Sequence, residues 1–239
     1  MSMSSSPLLD RPISQQAPEV RSRFMTRVYI QLMVGIAGFI ALSYALFETG
    51  LAYDIADFVI GTSWLIILGG FMIVSWMANS WGYRAETPGA QYGAYALLVV
   101  ANVLLFATPL VMAEFYDAQN TPAGTTSTIS IAAQISLFAF AALSFIAIKT
   151  GKDFSFLRGI LMWGGILALV AIVASVIFGT GLGTWFSVAM IGFAGAAILY
   201  DTQKIYTSYP PNREVAAAMS LFASLALLFW YVLRFMTRR

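Results

Sequence analysis

Asp201 closes the run Gly192-Phe-Ala-Gly-Ala-Ala-Ile-Leu-Tyr200 and is followed by Thr-Gln-Lys204. A carboxylate inside an apolar helix costs about 2.5–3.5 kcal/mol on membrane-insertion scales, so it marks a functional group or a compensated one. Lys204 stands at i+3, on the same helical face, so an interfacial ion pair is the plain alternative. The other polar residues within apolar runs are Asn102, Gln134, Ser136, Ser175, Ser220 and Ser224. Such groups more often hydrogen-bond between helices, for about 0.6–2 kcal/mol each, than line a pore.

Several chemistries are excluded by what is missing. The chain has no His and no Cys. That removes Ser–His triads, Cys nucleophiles, thiolate zinc sites and haem ligation by His or Cys. An intramembrane aspartyl protease needs two acids sharing a proton. Tyr200-Asp201 resembles half of such a site, but Gly181-Leu-Gly183-Thr184 ends in a threonine where the second acid would stand. The last apolar run has no Lys for a retinal Schiff base. A high-affinity Ca²⁺ cage needs six to eight oxygens with several carboxylates, and one intramembrane acid does not supply them. The sequence therefore points to a non-enzyme that needs no cofactor and binds no metal in a dedicated cage.

The elements that hold these residues follow from composition. Of 239 residues, 59% are hydrophobic and 10% are charged, against about 25% charged in soluble domains. Mean hydropathy is +0.79. A soluble surface cannot be built from so few charges, so the chain is an all-α membrane protein. Seven runs approach the ~20 apolar residues that a crossing helix needs: Val28–Phe47, Ala56–Ala78, Gln91–Ala113, Thr126–Ile148, Phe156–Phe178, Trp185–Tyr200 (continuing as helix through Tyr206) and Val215–Met236. Gly- and Pro-rich breakers separate them. A seven-transmembrane-helix bundle over residues 24–239 is expected, behind a structureless cytoplasmic tail at 1–23 that is rich in Ser, Pro and Gln. No signal-peptide pattern precedes the first run, so the tail is expected to be retained.

Ten basic residues share the tail face: Arg11, Arg21, Arg23, Arg27, Arg84, Lys149, Lys152, Arg158, Lys204 and Arg213. The opposite loops carry Glu48, Asp54, Glu114 and Asp117. Basic loops stay cytoplasmic, which places the N-terminus inside. Arg234, Arg238 and Arg239 at the far end of the seventh run go against this pattern. A net charge of +2 is too small and dispersed for nucleic acid. Small residues recur at Ala216, Ser220 and Ser224, a ridge that lets helices approach closely. Gly35-x-x-Gly38, Gly164–Gly165 and Gly192-x-x-Gly195 offer the same. Tyr29, Trp76, Trp81, Tyr92, Trp185 and Tyr206 read as interface anchors.

Four stretches together resemble the transmembrane Bax inhibitor motif family: Phe24-Met-x-x-Val-Tyr29, Lys152-Asp-Phe-Ser-Phe-Leu157, Ile198-Leu-Tyr-Asp-Thr-Gln-Lys204, and Ala217-Ala-Met-Ser-Leu-Phe222 through Leu228-Phe-Trp-Tyr-Val-Leu-Arg234. The resemblance implies a bundle with the last helix central. It also implies passive, pH-sensitive Ca²⁺ leak or, in bacterial members, modulation of a membrane-bound AAA protease. In the family the leak is attributed to two aspartates that share a proton, aided by an Arg after the second helix. The first aspartate falls on Asp201 and the second on Ser224. The Arg position falls near Asn79–Ser80, and Arg84 is the nearest basic residue.

The expected ion pathway or gate is therefore Asp201, Ser224, Ser220, Lys204 and Arg84, with Asp201 not sharing a proton with a second acid. The leading expectation is an inner-membrane cation leak with a degenerate aspartate gate. The alternative is a non-conducting protein that binds a membrane protease or another membrane complex. Expected partners are the lipid bilayer, a membrane protein, and Ca²⁺ or another cation.

Overall fold

A computed structural model describes residues 12–122, 124–150 and 153–237. Among them, eight α-helices follow a short 3-10 turn at Ile13–Gln15: α1 Pro18–Glu48, α2 Leu51–Ile60, α3 Trp64–Arg84, α4 Pro88–Asn120, α5 Thr128–Lys149, α6 Leu157–Phe178, α7 Thr184–Ser208 and α8 Glu214–Met236. All but α2 are long and apolar enough to cross a membrane.

The last helix is the central one. In its most apolar stretch 67% of residues are buried, against 56% in α4 and none in α6. It packs on α7, α1, α5 and α4. The small residues Ala216, Ala217 and Ala218 let these neighbours close in, and all three are buried. Lower down α8, Phe222 meets the rings of Tyr95 and Phe39, and Phe106 stacks on Phe229 at 5.5 Å. Edge and offset ring contacts of this kind add about 0.5–1.5 kcal/mol each beyond area burial. The outer faces of α1 and α3 carry bulky exposed residues such as Ile40, Ile66 and Trp76.

The second expected span, Ala56–Ala78, is divided. Ala56–Ile60 belongs to α2, and the chain breaks at Gly61-Thr62-Ser63 before α3 starts. Apolar residues flank this turn on both sides, so hydropathy alone runs across it. α2 is a short helix on the far face, away from the tail. Ala52 and Ala56 press it onto Val111 of α4, and Tyr53 Oη donates to Glu114 Oε2 at 2.8 Å. Gly50, at φ 77°, makes the sharp α1–α2 corner in a conformation that a side chain would oppose. At the same face Asp117 of α4 accepts the Thr128 N–H at 2.8 Å, as well as the Thr128 and Thr121 hydroxyls. It thus caps α5 from the end of the preceding helix.

Residues 12–23, which composition assigns to the tail, carry ordered structure. Ile13 is completely buried. Its N–H donates to the Tyr209 carbonyl at 2.8 Å, and Ser14 Oγ donates to the Thr207 carbonyl at 2.7 Å. Pro18 then opens α1 at a position where its missing N–H costs nothing. The part of the expected tail before residue 12 lies outside the described residues.

Close approaches occur at some of the expected glycines. A Cβ on Gly35 would stand 1.9 Å from Tyr95 Oη, and one on Gly164 would stand 3.0 Å from the Phe193 ring. Gly192 has open space around it. Asn102 and Ser136, expected to bond between helices, instead donate to carbonyls one turn back in their own helices, Leu98 at 2.8 Å and Ala132 at 2.7 Å. Such back-bonding satisfies a buried donor without a partner helix. Trp76 and Trp185 are 70% and 85% exposed on the outside of the bundle. Tyr29 is half-buried inside the bundle, close to Ser144 and Thr202.

Candidate functional site: a polar run at the tail-side end of the central helix

α7 carries Asp201 near its tail-side end, and α8 starts there after the Tyr209-Pro210-Pro211-Asn212 turn. The two helices are antiparallel and extensively packed, so the end of one faces the first turns of the other. Ser220 and Ser224 lie one turn apart on the same face of α8. Ser224 Oγ donates to Asp201 Oδ2 at 2.5 Å. This is the short end of the range for a hydroxyl on a carboxylate. Ser224 is 6% exposed, and Asp201 is half-buried.

Lys204 is not folded onto Asp201 as a contact ion pair. Its ammonium lies over the Tyr200 ring, 5.9 Å from the centroid. At i+3 the long side chain has a neighbouring aromatic face available, and it can reach water there.

One turn along α8, Ser220 and Tyr209 share a hydrogen bond of 3.2 Å between their hydroxyl oxygens. Tyr209 is buried, with its ring edge-on to Tyr83 at 6.2 Å. Burial pushes its phenol above the ordinary value of 10, the Ser220 hydrogen bond works the other way, and the nearby Asp201 charge adds to the rise. Tyr209 therefore stays a neutral hydroxyl across the physiological range. Beyond it lies a cleft of about 340 Å³ between α3 and α8, lined among others by Asn79, Ser80, Arg84, Tyr209 and Ser220. The polar run thus leads from Asp201 across Ser224 and Ser220, past Tyr209, to a cleft that has Arg84 on its wall.

Five charged or polar side chains brace this end. Arg213 Nη1 donates to the Ala85 carbonyl at 2.5 Å and lies over the Tyr83 ring. Arg27 of α1 pairs with Glu214 of α8 at 3.5 Å. Gln203, two residues after Asp201, accepts the Phe154 N–H at 2.7 Å and donates to Asp153 Oδ1 at 3.4 Å. Asp153 also accepts from the Ser155 N–H and hydroxyl, at 2.8 and 3.0 Å. These bonds hold its carboxyl below the usual carboxylate range. Gln203 therefore clamps the α5–α6 loop onto α7, which joins the Asp-Phe-Ser stretch to the Asp-Thr-Gln stretch.

The structure brings Asp201, Ser224 and Ser220 into one run, sets Lys204 at its edge and puts Arg84 in the cleft. Tyr209 and Gln203 were missed by sequence reasoning. Tyr209 sits in a Pro-Pro turn that reads only as a breaker, and Gln203 is uncharged. In both cases the available signal was adjacency to Asp201 or to the start of α8. Among the described residues, no group of three or more Asp, Glu, His or Cys is arranged to hold a metal ion.

Residues 21–239 match the model of the protein family described as inhibitor of apoptosis-promoting Bax1. The curated proteins contain no match to the chain.

Proposed function

The chain belongs to the Bax inhibitor family, whose model spans residues 21–239, and from that membership we propose that it is a non-enzymatic, passive cation leak of a bacterial inner membrane, with its N-terminus cytoplasmic. The observation that carries the reading is the half-buried Asp201 carboxylate, held by Ser224 of the central helix at the tail-side end of the bundle. A carboxylate in that position attracts cations to a route otherwise walled by apolar helices. The hydroxyl pair Ser220–Tyr209 continues the polar surface toward the Arg84 cleft. Arg84 and Lys204 flank the route and limit the cation density that Asp201 draws in. Ca²⁺ is the first ion to test.

The experiment is Ca²⁺ uptake into proteoliposomes, with empty vesicles as the baseline. Wild-type protein should exceed the baseline, and Asp201→Asn should lose most of the excess while remaining folded by circular dichroism. Uptake equal to empty vesicles would overturn the leak. It would favour a non-conducting protein that modulates a membrane protease or another complex, to be sought as a stoichiometric partner in native membranes.

A further inference from the structure

α1 and α5 each pack on α8, but they barely touch one another. Three contiguous cavities run along the seam between them. The first, of about 1030 Å³, lies at the tail-side end, where Arg21, Ser22 and Thr26 of α1 meet Tyr206 of α7 and Ile148 of α5. The second, of about 460 Å³, shares Tyr29, Met33 and Ile148 with the first. The third, of about 210 Å³, shares Ile36 and Leu137 with the second and is floored by Phe222, Leu225 and Phe229 of α8. Beyond Thr26 the walls are mostly apolar, and no Asp or Glu lines any of the three.

We propose that this seam binds an anionic phospholipid of the tail-side leaflet, with its phosphate between Arg21 and Lys149 and an acyl chain along the groove between α1 and α5. Three observations converge on this occupant. The first is charge. Arg21 is half-buried, and its guanidinium lies over the Tyr206 ring, 5.2 Å from the centroid. Lys149, the last residue of α5, lies over the ring of Phe145, 6.0 Å from its centroid, and Phe145 lines the second cavity. A ring holds a cation without cancelling its charge. Among the described residues neither cation pairs with an acid; the ion pair at this end is Arg27–Glu214. Arginine presents a planar fork suited to phosphate oxygens, and lysine adds a point charge. The second observation is access. Ile30, Met33 and Val34 on one side of the seam and Phe145 on the other are exposed, so a chain can enter sideways from the bilayer without crossing water. The third is length. From Arg21 to Ile36, α1 rises about 22 Å at 1.5 Å per residue, close to half the ~40–45 Å of a bilayer with its headgroups. A headgroup at Arg21 therefore leaves its chain beside the first two cavities. The site is independent of conduction through Asp201.

The test is native mass spectrometry of the purified full chain, titrated with phosphatidylglycerol or phosphatidylcholine of identical chains. Phosphatidylglycerol should bind at least about fivefold more tightly than phosphatidylcholine. The double variant Arg21→Gln/Lys149→Gln should bring that ratio close to one, whereas Arg158→Gln, on α6 and away from the seam, should leave it unchanged. Ala141→Trp, which fills the second cavity from α5, should weaken both lipids. Should the double variant fail to fold, the wild-type ratio and Ala141→Trp decide. Four results would overturn the lipid site: a wild-type ratio near one, an unchanged ratio in the folded double variant, an equal loss of selectivity in Arg158→Gln, or unaltered binding of both lipids to Ala141→Trp.

Discussion

Removing the Ser224 hydroxyl isolates the contact on which the candidate site is built. Ser224→Ala deletes one oxygen and leaves the backbone and nearly all the packing intact. The lost bond is 2.5 Å long and ends on a carboxylate. Bonds to charged groups contribute about 1.5–3 kcal/mol, and Ser224 is too enclosed for water to replace it fully. We expect a loss of about 2 kcal/mol in reversible unfolding from mixed micelles, measured at pH 8. Asp201→Asn keeps an acceptor but removes its charge, so it should cost about 1 kcal/mol through this bond, since charge-assisted bonds are roughly twice as strong as neutral ones. The double variant should cost less than the two single losses added, by about 1 kcal/mol. Distant sites add to within about 0.3–0.5 kcal/mol. Additivity within that margin, or a Ser224→Ala loss below about 0.5 kcal/mol, would show that the two groups do not interact. It would also remove the structural reason for assigning them to one site.

Gly35→Ala should lower the melting temperature in detergent, because its Cβ would stand 1.9 Å from the Tyr95 hydroxyl and overpacking costs about 1–3 kcal/mol; Gly192→Ala, with open space around it, should be neutral or stabilising, and equal losses would refute the close approach. Ile13→Ala should release the segment before α1, raising the rate of trypsin cleavage at Arg21 and Arg23 by about tenfold or more, since an enclosed Ile contributes about 1.5–3 kcal/mol; an unchanged rate would mean that the segment is held by other contacts. Asp153 has a depressed carboxyl value, so its turn contributes stability above the ordinary value of 3.8 and loses it as pH falls through the lower, folded value. Its side-chain carbon shift in NMR should titrate with a midpoint below 3.8, and a midpoint at or above that value would refute the Ser155 turn.

The parts of this molecule that were legible in the sequence are those set by local composition. Seven apolar runs predict seven crossing helices because each must satisfy its own backbone in lipid. The small-residue ridge of α8 predicts the enclosed helix because close approach needs side chains that are missing or short. The α2–α3 turn was not legible in the same way. Gly61-Thr62-Ser63 is brief, and α2 is apolar enough to be absorbed into a hydropathy window, although Asp54 and Asp57 within ten residues mark a helix that meets water on one side.

The contacts that define the site depend on register between helices, which composition does not encode. Asp201 and Ser224 are 23 residues apart, and their meeting requires that the Tyr209–Arg213 turn return α8 at one particular height. That height is set by Arg213 on the Ala85 carbonyl, Tyr209 on Ser220, and Arg27 on Glu214. None of these residues stands out in a scan for intramembrane charge. Ile13 makes the same point from the other direction. One apolar residue in a polar stretch is invisible to an average, yet here its side chain is completely enclosed in the main apolar core and its N–H donates to the Tyr209 carbonyl. The turn that fixes the Asp201–Ser224 register is thus the same turn that receives the segment before α1. Loosening that segment should reach Asp201 through Tyr209, and the distance between the two carries no obstacle: Ile13 binds the Tyr209 backbone, while the Tyr209 side chain binds Ser220, one helical turn from Ser224.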